Sequence, residues 1–479
     1  MDQAKASVEQ FLKKHGMYPD DIDLEQICVN FENEMIKGLS SYNRESSLLM
    51  LPTFIKIGDA IPQNKPVIAI DAGGTNLRTA VLNFDKEINC EISDFKTYKM
   101  PGSSGVISKK EFFETIYGYL EPILDRSDKI GFCFSYAVTI TPDRDGRVIE
   151  LSKEVKVDGL VGEPVNENLL AVIRSRRESS RHKIVQLNDT VATLLGGKAA
   201  YPNRVFESYI GLILGTGTNT CYIEDCTNIK KLSDVDLTAE QAAAYGPGNS
   251  MLINIESGSF DKATFGDIDS ALDKKMKDPG RYRFEKAMSG GYQGTLMAEI
   301  LRTAAAEGLF SPAANAKFAA LNNLESRDLD TFLYYPYGDN VLAACAGTGG
   351  ASALSHANAT SAAETQANPI ASADIKACSA GEDALKLYYL IDALFERAAM
   401  FTTASITAIL RKTSRGRNPN MPVCVTADGS TFYRSKLFRA KLDHHIREFT
   451  NNRNGLYCEF IKAENGVLTG AAIAALQNT

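Results

Sequence analysis

The 479-residue chain has no tryptophan, five histidines and nine cysteines, and these counts exclude several classes of protein. The cysteines are odd in number and scattered, without a C-x-x-C pair. The closest two, Cys221 and Cys226, have no histidine or second pair near enough in sequence for zinc. The adjacent His444 and His445 lack ligand spacing as well. We therefore expect no metal or disulfide framework, and reduced thiols favour a cytoplasmic location.

Long apolar runs and a basic charge balance are also missing. No apolar run approaches the roughly 20 residues that a membrane helix needs, and the N-terminal MDQAKASVEQFLKKHG is too polar for a signal peptide. The formal net charge of −7 does not attract nucleic acid or an anionic membrane, so we expect neither as a partner. The length allows two or three domains, each with its own core.

Two nucleotide-binding motifs are missing too. The pattern G-x-x-x-x-G-K-[ST] occurs nowhere, and G-x-G-x-x-G does not follow the first strand-like run. What the sequence does contain is a pair of glycine turns between apolar runs, DAGGTN at 71–76 and LGTGTN at 214–219. N–H groups of a glycine turn can approach phosphate closely because no Cβ intervenes. Two such turns predict two lobes that hold one polyphosphate, with a ligand cleft between them.

The order of the segments predicts an α/β architecture. Strand-like runs such as KIGFCFSYAV (129–138) alternate with helix-like runs such as FFETIYGYLEPIL (112–124), and 182–201 reads as a strand running into a helix. A long helix is predicted at 385–410. Residues 343–381, rich in Ala, Ser, Thr, Gly and Asn, predict a mobile surface insertion, or alternatively an alanine-rich helix packed on the larger domain.

Two aspartates at strand ends are candidates for chemistry. Asp71 before the first turn either caps that turn or holds Mg²⁺, which proteins bind with few carboxylates and with substrate phosphates. Asp189, between Asn188 and Thr190, either caps the following helix or accepts a proton from a substrate hydroxyl. Phosphoryl transfer needs little other proton chemistry, since the remainder is positioning and charge neutralisation.

Eight segments, in this order, resemble motifs of the hexokinase family, the ATP-dependent sugar kinases with an actin-like, ribonuclease H-type fold. The segments are SLLMLPTFI (47–55), DAGGTNLR (71–78), LNDTVATLL (187–195), ILGTGTNTCYIE (213–224), INIESGSFD (253–261), DPGRYRFEKAMSGGYQG (278–294), VTADGSTFY (425–433) and ENGVLTGAAIAAL (464–476). The resemblance runs from about residue 31 to the end. It implies a small domain of residues 64–200 plus 463–479 and a large domain of residues 1–63 plus 201–462.

The resemblance also implies site residues, with ATP and Mg²⁺ as cofactors. For the nucleotide these are Asp71 (Mg²⁺, through water), Gly73, Gly74, Thr75, Asn76, Arg78, Gly215, Thr216, Gly217, Gly290, Gly291, Asp428, Gly429, Ser430, Gly470 and Ala471. For the hexose they are Ser135, Ser152, Lys153, Asn188, Asp189, Asn219, Glu256 and Glu285. Asp189 would be the catalytic base for the 6-hydroxyl, and Lys153 would add positive charge in the transition state.

The sugar loop departs from the family pattern. The family has S-F-P followed by W-T-K-G-F, where this chain has Ser135-Tyr136-Ala137 and LSKEV at 151–155. Ser152 keeps a hydroxyl and Lys153 keeps a cation, while the lost tryptophan and glycine change shape and stiffness. The resemblance implies a hexokinase, monomeric or homodimeric, that transfers the γ-phosphate of ATP to the 6-hydroxyl group of glucose and of other hexoses. A kinase for mannose, fructose or an N-acetylhexosamine is the first alternative, and a non-catalytic sugar sensor is the second.

Overall fold

The computed structural model describes residues 2–42, 45–58, 60–151, 155–349 and 381–479. The strands are β1 (Leu51–Pro52), β2 (Val67–Ala72), β3 (Asn76–Phe84), β4 (Cys90–Lys99), β5 (Ile107–Ser108), β6 (Lys129–Phe134), β7 (Ala137–Ile140), β8 (Gly146–Glu150), β9 (Val157–Asp158), β10 (Lys183–Leu187), β11 (Tyr209–Leu214), β12 (Thr218–Asp225), β13 (Ser250–Asn254), β14 (Val423–Asp428) and β15 (Cys458–Ile461).

The helices are α1 (Asp2–Lys14), α2 (Leu24–Ser40), α3 (Lys109–Leu120), α4 (Val165–Arg176), α5 (Asp189–Ala200), α6 (Ala239–Ala244), α7 (Asp267–Lys275), α8 (Arg283–Met288), α9 (Gly290–Ala306), α10 (Pro312–Ala319), α11 (Ser326–Tyr334), α12 (Val341–Cys345), α13 (Glu382–Thr413), α14 (Ser430–Arg434), α15 (Phe438–His445) and α16 (Gly466–Asn478). The helices predicted at 112–124 and 385–410 correspond to α3 and α13.

Two sheets carry the same strand pattern. The first sheet has the order β10-β6-β2-β3-β4, in which β2, β3 and β4 are antiparallel neighbours and β2, β6 and β10 are parallel. The second sheet has the order β1-β13-β12-β11-β14-β15, in which β13, β12 and β11 are antiparallel neighbours, β11, β14 and β15 are parallel, and β1 adds a further antiparallel strand beside β13. Each glycine turn therefore joins the central strand of its sheet to an antiparallel neighbour.

Helices α5 and α16 lie between the two sheets and pack closely on each other. Small residues allow the approach, because a Cβ added at Gly470 would stand 1.8 Å from the carbonyl oxygen of Ala192. Helix α16 also touches the first sheet, where a Cβ on Gly131 of β6 would lie 1.9 Å from the Ala471 carbonyl oxygen. Helix α5 touches the second sheet, since a Cβ on Gly211 of β11 would lie 2.3 Å from the Thr190 carbonyl oxygen.

Replacing Gly470 by alanine should test this packing. We expect the free energy of unfolding to fall by about 3 kcal/mol, because the new methyl group meets backbone atoms that can move only if the helix pair separates. Urea unfolding measures this change. The matched control is Gly118→Ala in α3, where an added Cβ meets nothing within 4 Å. The control should keep or slightly raise stability, and equal losses in the two variants would contradict this account.

The start of the alanine-rich region is packed in the interior of the protein. Ala343, Ala344, Cys345 and Ala346 are at most 4% exposed, so the prediction of a surface insertion is wrong for them. Residues 350–380 lie outside the described residues. Helix α13 is long and apolar enough to cross a membrane by composition, but 94% of its most apolar window is buried inside the protein, as expected of a core helix.

Candidate active site

The first glycine turn joins β2 to β3 and presents exposed polar residues. The N–H of Gly73 donates to the carbonyl of Asn76 over 3.0 Å, which closes the turn, and Thr75 and Asn76 are exposed. Asp71 pairs with Arg78 across the two strands, and their side chains form an ion pair of 2.9 Å. Arg78 thus places its charge at Asp71, at the base of the turn.

The second glycine turn joins β11 to β12 and is held by the start of α9. The N–H of Gly290 donates to the Gly215 carbonyl over 2.8 Å, and that of Gly291 donates to the Thr216 carbonyl over 2.9 Å. A Cβ at position 291 would lie 2.6 Å from the Thr216 carbonyl oxygen, so this close approach requires glycine. The turn and the N-terminal end of α9 form one rigid unit that leaves Thr216 exposed.

Asp428, Gly429 and Ser430 lie beside the second turn, at the end of β14. Gly429 has φ of 119°, which only glycine adopts readily, and a Cβ there would stand 2.2 Å from the Leu214 carbonyl oxygen. The exposed Asp428 accepts a hydrogen bond of 2.7 Å from the N–H of Gly429. The structure therefore brings these predicted nucleotide residues together with the second turn.

Two polar residues near this unit were missed in the sequence. The Ser326 hydroxyl donates to the carbonyl of Gly290, and Thr431 donates to the carbonyl of Gly215 over 3.0 Å. Thr431 lies within the matched segment VTADGSTFY and could have been singled out there. Ser326 begins α11, far along the chain from any of the eight segments, and no sequence pattern marked it.

A network of amides and carboxylates forms on the second sheet next to the turns. Asn254 donates to Glu256 Oε1 over 2.7 Å, and Asn219 donates to Asn254 Oδ1 over 2.7 Å and to Glu256 Oε1 over 3.3 Å. Burial raises the pKa of Glu256, the carboxylate of Asp189 raises it further, and the two amides oppose the rise. Glu256 has φ of 58°, a left-handed backbone that is unusual for a residue other than glycine.

Glu285, in the first turn of α8, closes the other side of this network. Its Oε2 accepts a 2.9 Å hydrogen bond from the N–H of Thr218, and a Cβ at Gly217 would stand 2.5 Å from that oxygen. Burial raises the pKa of Glu285 to about 7; the Thr218 N–H opposes the rise and the Glu256 carboxylate adds to it. A half-buried carboxyl group beside a second carboxylate is an arrangement that ligand hydroxyl groups can satisfy.

The pKa of Glu285 predicts a pH dependence of stability. Its usual value of 4.5 rises to about 7 on folding, so between these two pH values the folded protein keeps a proton that the unfolded chain releases. The free energy of unfolding should therefore fall across this pH interval, by on the order of 3 kcal/mol at about 1.4 kcal/mol per pH unit. Urea unfolding at several pH values measures the slope. Glu285→Gln should flatten it, and an unchanged slope in that variant would contradict the assignment.

Asp189 is the first residue of α5, and its neighbour Asn188 is the residue that caps the helix. The Asn188 side chain accepts a 3.0 Å hydrogen bond from the N–H of Val191. The capping role considered for Asp189 is thus filled by Asn188. Asp189 accepts a 3.2 Å hydrogen bond from the Thr190 hydroxyl and is half-buried.

Asp189 lies between the phosphate turns and the amide network. Burial raises the pKa of Asp71, Arg78 opposes this rise, and the carboxylates of Asp189 and Asp428 raise it further. The Asp189 carboxylate also raises the pKa of Glu256. The negative charge of Asp189 thus affects both Asp71 at the first turn and Glu256 in the amide network. Asp71, on the first sheet, is also affected by the charge of Asp428, on the second sheet.

The sugar loop is only partly described. Ser135 follows β6, is half-buried, and its N–H donates to the Ala72 carbonyl over 3.1 Å, next to the first turn. Ser152 and Lys153 lie outside the described residues. Burial raises the pKa of the Tyr282 phenol and Arg281 opposes this rise, while the carboxylates of Glu256, Glu285 and Glu150, the last residue of β8, add to it. The end of β8 therefore lies near the carboxylates of the amide network.

Two residues predicted for the nucleotide have another role. Gly470 and Ala471 are fully covered in the contact of α16 with α5 and β6, and Ala471 is 0% exposed. Their small size serves helix packing, and neither has surface to offer a ligand. The other predicted nucleotide residues that are described lie at the two turns or at the end of β14.

Among the described residues, no group of three or more His, Cys, Asp and Glu side chains could hold a metal ion by itself. The eight cysteines of these ranges form no disulfide. Mg²⁺ at Asp71 would thus depend on phosphate oxygens and water for its remaining ligands, as Mg²⁺ usually does.

Comparisons with known proteins identify the family. A family model described as hexokinase matches residues 209–477, and a second hexokinase model matches residues 7–199. The chain belongs to the hexokinase family. The two matches together cover both sheets, both glycine turns and every predicted site residue of this hexokinase-family chain.

Relatives of this hexokinase-family chain include longer proteins. Hexokinase-1 of Rattus norvegicus is 32% identical over 321 residues, which are 64% of this chain and 33% of that protein. Hexokinase-3 of Mus musculus is 25% identical over 485 residues, 98% of this chain and 47% of that protein. Putative glucokinase-2 of Saccharomyces cerevisiae is 31% identical over 327 residues, 60% of this chain and 64% of that protein. The chain thus matches between a third and two thirds of the length of these relatives.

Solved hexokinase structures share the fold. The structure of a hexokinase from Schistosoma mansoni complexed with glucose aligns with 99% of this chain over 99% of its own length, with a TM-score of 0.71 and 23% sequence identity. A second hexokinase crystal structure covers 98% of this chain and 99% of that one, with a TM-score of 0.70 at 22% identity. The predicted two-lobed, actin-like α/β fold of this hexokinase-family chain is confirmed.

Proposed function

We propose that this chain is a hexokinase that transfers the γ-phosphate of ATP to the 6-hydroxyl group of glucose. One observation carries the proposal: Asp189 begins α5, the helix that packs against β11 and α16 between the two sheets, and its carboxylate repels those of Asp71 at the first glycine turn and Glu256 in the amide network. A base in this position can meet a hydroxyl group of a bound sugar on one side and a phosphate on the other.

The two glycine turns would hold the triphosphate from opposite lobes. On the first sheet, the turn of Gly73, Gly74, Thr75 and Asn76 would offer the Gly74 N–H group and the exposed side chains of Thr75 and Asn76. On the second sheet, Gly215, Thr216 and Gly217 would do the same, with Gly290, Gly291, Asp428, Gly429 and Ser430 along the nucleotide. Support comes from the closeness of the turns, since Asp71 and Asp428 interact.

The residues around Asp71 fit a divalent cation. Asp71 is 7% exposed, its carboxylate is repelled by those of Asp189 and Asp428, and Arg78 offsets part of this negative charge. A cation held by Asp71 through water, together with phosphate oxygens, would relieve this repulsion. When bound, Mg²⁺ neutralises charge on the β- and γ-phosphates.

The amide network would hold the hexose. Sugar hydroxyl groups both donate and accept hydrogen bonds, and carboxylates and amides at fixed positions can satisfy them. We assign this role to Ser135, Asn188, Asn219, Glu256 and Glu285, all of which are half-buried. Ser152 and Lys153 belong to the same proposal on their match to the family motif alone.

In the proposed reaction, the Asp189 carboxylate accepts the proton of the 6-hydroxyl group. The hydroxyl oxygen attacks the γ-phosphorus in line, and the bond from γ-phosphorus to the bridging β-oxygen breaks, so that ADP leaves with the electron pair. The N–H groups of the two turns and the Lys153 ammonium group would face the charge that develops on the phosphoryl oxygens. Closure of the lobes would exclude water and suppress ATP hydrolysis.

Steady-state kinetics with several hexoses and nucleoside triphosphates test the proposal. We expect ADP release that depends on a hexose, with glucose among the accepted sugars and no reaction of 6-deoxyglucose. A preference for mannose, fructose or an N-acetylhexosamine would support the alternative kinase, which the departures at Tyr136 and at 151–155 favour. Sugar binding without any phosphate transfer would contradict the proposal and support a sugar sensor.

Cytoplasmic location is part of the same proposal. The described cysteines form no disulfide, and five of the eight have a thiol pKa raised by burial to about 11 or 12, which keeps them protonated and unreactive. Reduced, buried thiols are typical of proteins in a reducing compartment. Cell fractionation with an antibody to this chain would test the location.

A further inference from the structure

Tyr136 connects the first glycine turn to the segment that carries Ser135. Its ring packs on Phe134 with the centroids 4.8 Å apart, and the residue is 5% exposed. Its hydroxyl donates a 2.7 Å hydrogen bond to the carbonyl of Gly73. The S-F-P motif that this segment resembles has phenylalanine at the same position, so the hydroxyl group distinguishes this chain from the motif.

The hydrogen bond fixes the direction of one peptide group in the turn. In a planar trans peptide, the C=O of Gly73 and the N–H of Gly74 point in opposite directions. Because the buried Tyr136 holds the carbonyl on its own side, the Gly74 N–H points away from Tyr136. Glycines on both sides of this peptide would otherwise let its plane rotate with little steric resistance.

The backbone supports the same connection. The N–H of Ser135 donates to the Ala72 carbonyl over 3.1 Å, which continues the parallel pairing of β2 with β6 into the turn. On the other side, the N–H of Gly73 donates to the Asn76 carbonyl over 3.0 Å. The Gly73–Gly74 peptide is therefore the part of the turn whose orientation depends on a side chain.

We propose that Tyr136 is a positioning residue that keeps the Gly73 carbonyl away from the triphosphate and directs the Gly74 N–H toward it. A rotated peptide would turn a carbonyl oxygen toward phosphate oxygens, which repel it. The inference rests on the proposed function, because it takes the first turn to be a phosphate site. It adds that, in this chain, the orientation of the Gly73–Gly74 peptide is fixed by a residue of the sugar-binding segment, since Tyr136 directly follows Ser135.

The test is Tyr136→Phe, which removes the hydroxyl and keeps the ring. Isothermal titration with Mg²⁺ and the non-hydrolysable analogue AMP-PNP should show affinity weakened about tenfold, the effect of one lost hydrogen bond and a freed carbonyl. AMP, which lacks the outer phosphates, should bind as before. In kinetics, KM for MgATP should rise by a similar factor, while the directly measured affinity for the hexose stays unchanged.

Tyr117→Phe is the matched control. Tyr117 lies in α3 of the same lobe, is 8% exposed, and donates to Glu121 over 3.2 Å, away from the turn. It should leave AMP-PNP binding unchanged. Unchanged AMP-PNP affinity in Tyr136→Phe would overturn the inference, as would an equal loss in both variants or a loss of hexose binding in Tyr136→Phe. Absent hexose turnover in the unmodified protein that still binds AMP-PNP would count against the proposed function and leave this comparison valid.

Discussion

Asp189→Asn is expected to lower kcat for hexose phosphorylation roughly 10²- to 10⁴-fold, the range over which a positioned general base contributes. Asparagine keeps the size of the side chain and its oxygen acceptor but cannot take the proton of the 6-hydroxyl group. The first turn of α5 should remain intact, because its cap is Asn188. Hexose affinity, measured by titration, should change far less than kcat. A coupled assay that detects ADP measures the rate.

Asp267→Asn is the control for this change. Asp267 is also the first residue of a helix, α7, and its partner is His15, which belongs to neither glycine turn. It should keep kcat near that of the unmodified protein, although its contact with His15 is weakened. Near-normal turnover of Asp189→Asn would show that another group accepts the proton. A collapse of turnover in both variants would show that removing a carboxylate from the start of a helix lowers activity by destabilising the protein, and not by removing the base.

Glu256→Gln is expected to weaken hexose binding on the order of 10- to 100-fold, since hydrogen bonds to a charged acceptor contribute about 1.5–3 kcal/mol. The carboxylate accepts hydrogen bonds from the side-chain amides of Asn254 and Asn219. Glutamine keeps one oxygen acceptor, but its NH₂ group is a donor and cannot accept from these amides. The amide network should therefore rearrange as well. KM for MgATP should change little, because the turn residues assigned to the nucleotide are not hydrogen-bond partners of this side chain.

The control for Glu256→Gln is Glu299→Gln in the same lobe. Glu299 is 7% exposed and is bound by Lys275 and Arg302, so its loss should reduce stability without changing hexose affinity. Titration calorimetry with glucose and urea unfolding separate the two effects. Equal hexose affinity of Glu256→Gln and the unmodified protein would remove Glu256 from the proposed sugar site.

Local features of the site could be predicted from sequence because they depend on short stretches. Apolar runs on either side of DAGGTN and LGTGTN predict two hairpins, and the structure has β2–β3 and β11–β12 there. The predicted sugar and phosphate residues that are described, apart from Gly470 and Ala471, are brought to the two turns and the amide network. The domain limits stay a prediction.

What could not be predicted depends on contacts between distant parts of the chain. The sequence alone does not distinguish a glycine that binds phosphate from one that allows two helices to pack closely. The short distance from Gly470 to the backbone of Ala192 shows that Gly470 is of the second kind. Ser326 reaches Gly290 because α11 packs next to α9, and Tyr136 reaches Gly73 because β2 and β6 are neighbours. The first residues of the alanine-rich region, from Ala343 to Ala346, are buried because they pack in the hydrophobic core beside the second sheet.

The most direct measurement is a crystal structure of the protein with glucose, Mg²⁺ and AMP-PNP. The account predicts a carboxylate oxygen of Asp189 within about 3 Å of the sugar 6-hydroxyl oxygen, the hydrogen-bond reach of a general base. It also predicts that this oxygen lies in line with the γ-phosphorus, between the two glycine turns. A sugar bound elsewhere, or with its 6-hydroxyl group turned away from Asp189, would contradict the account.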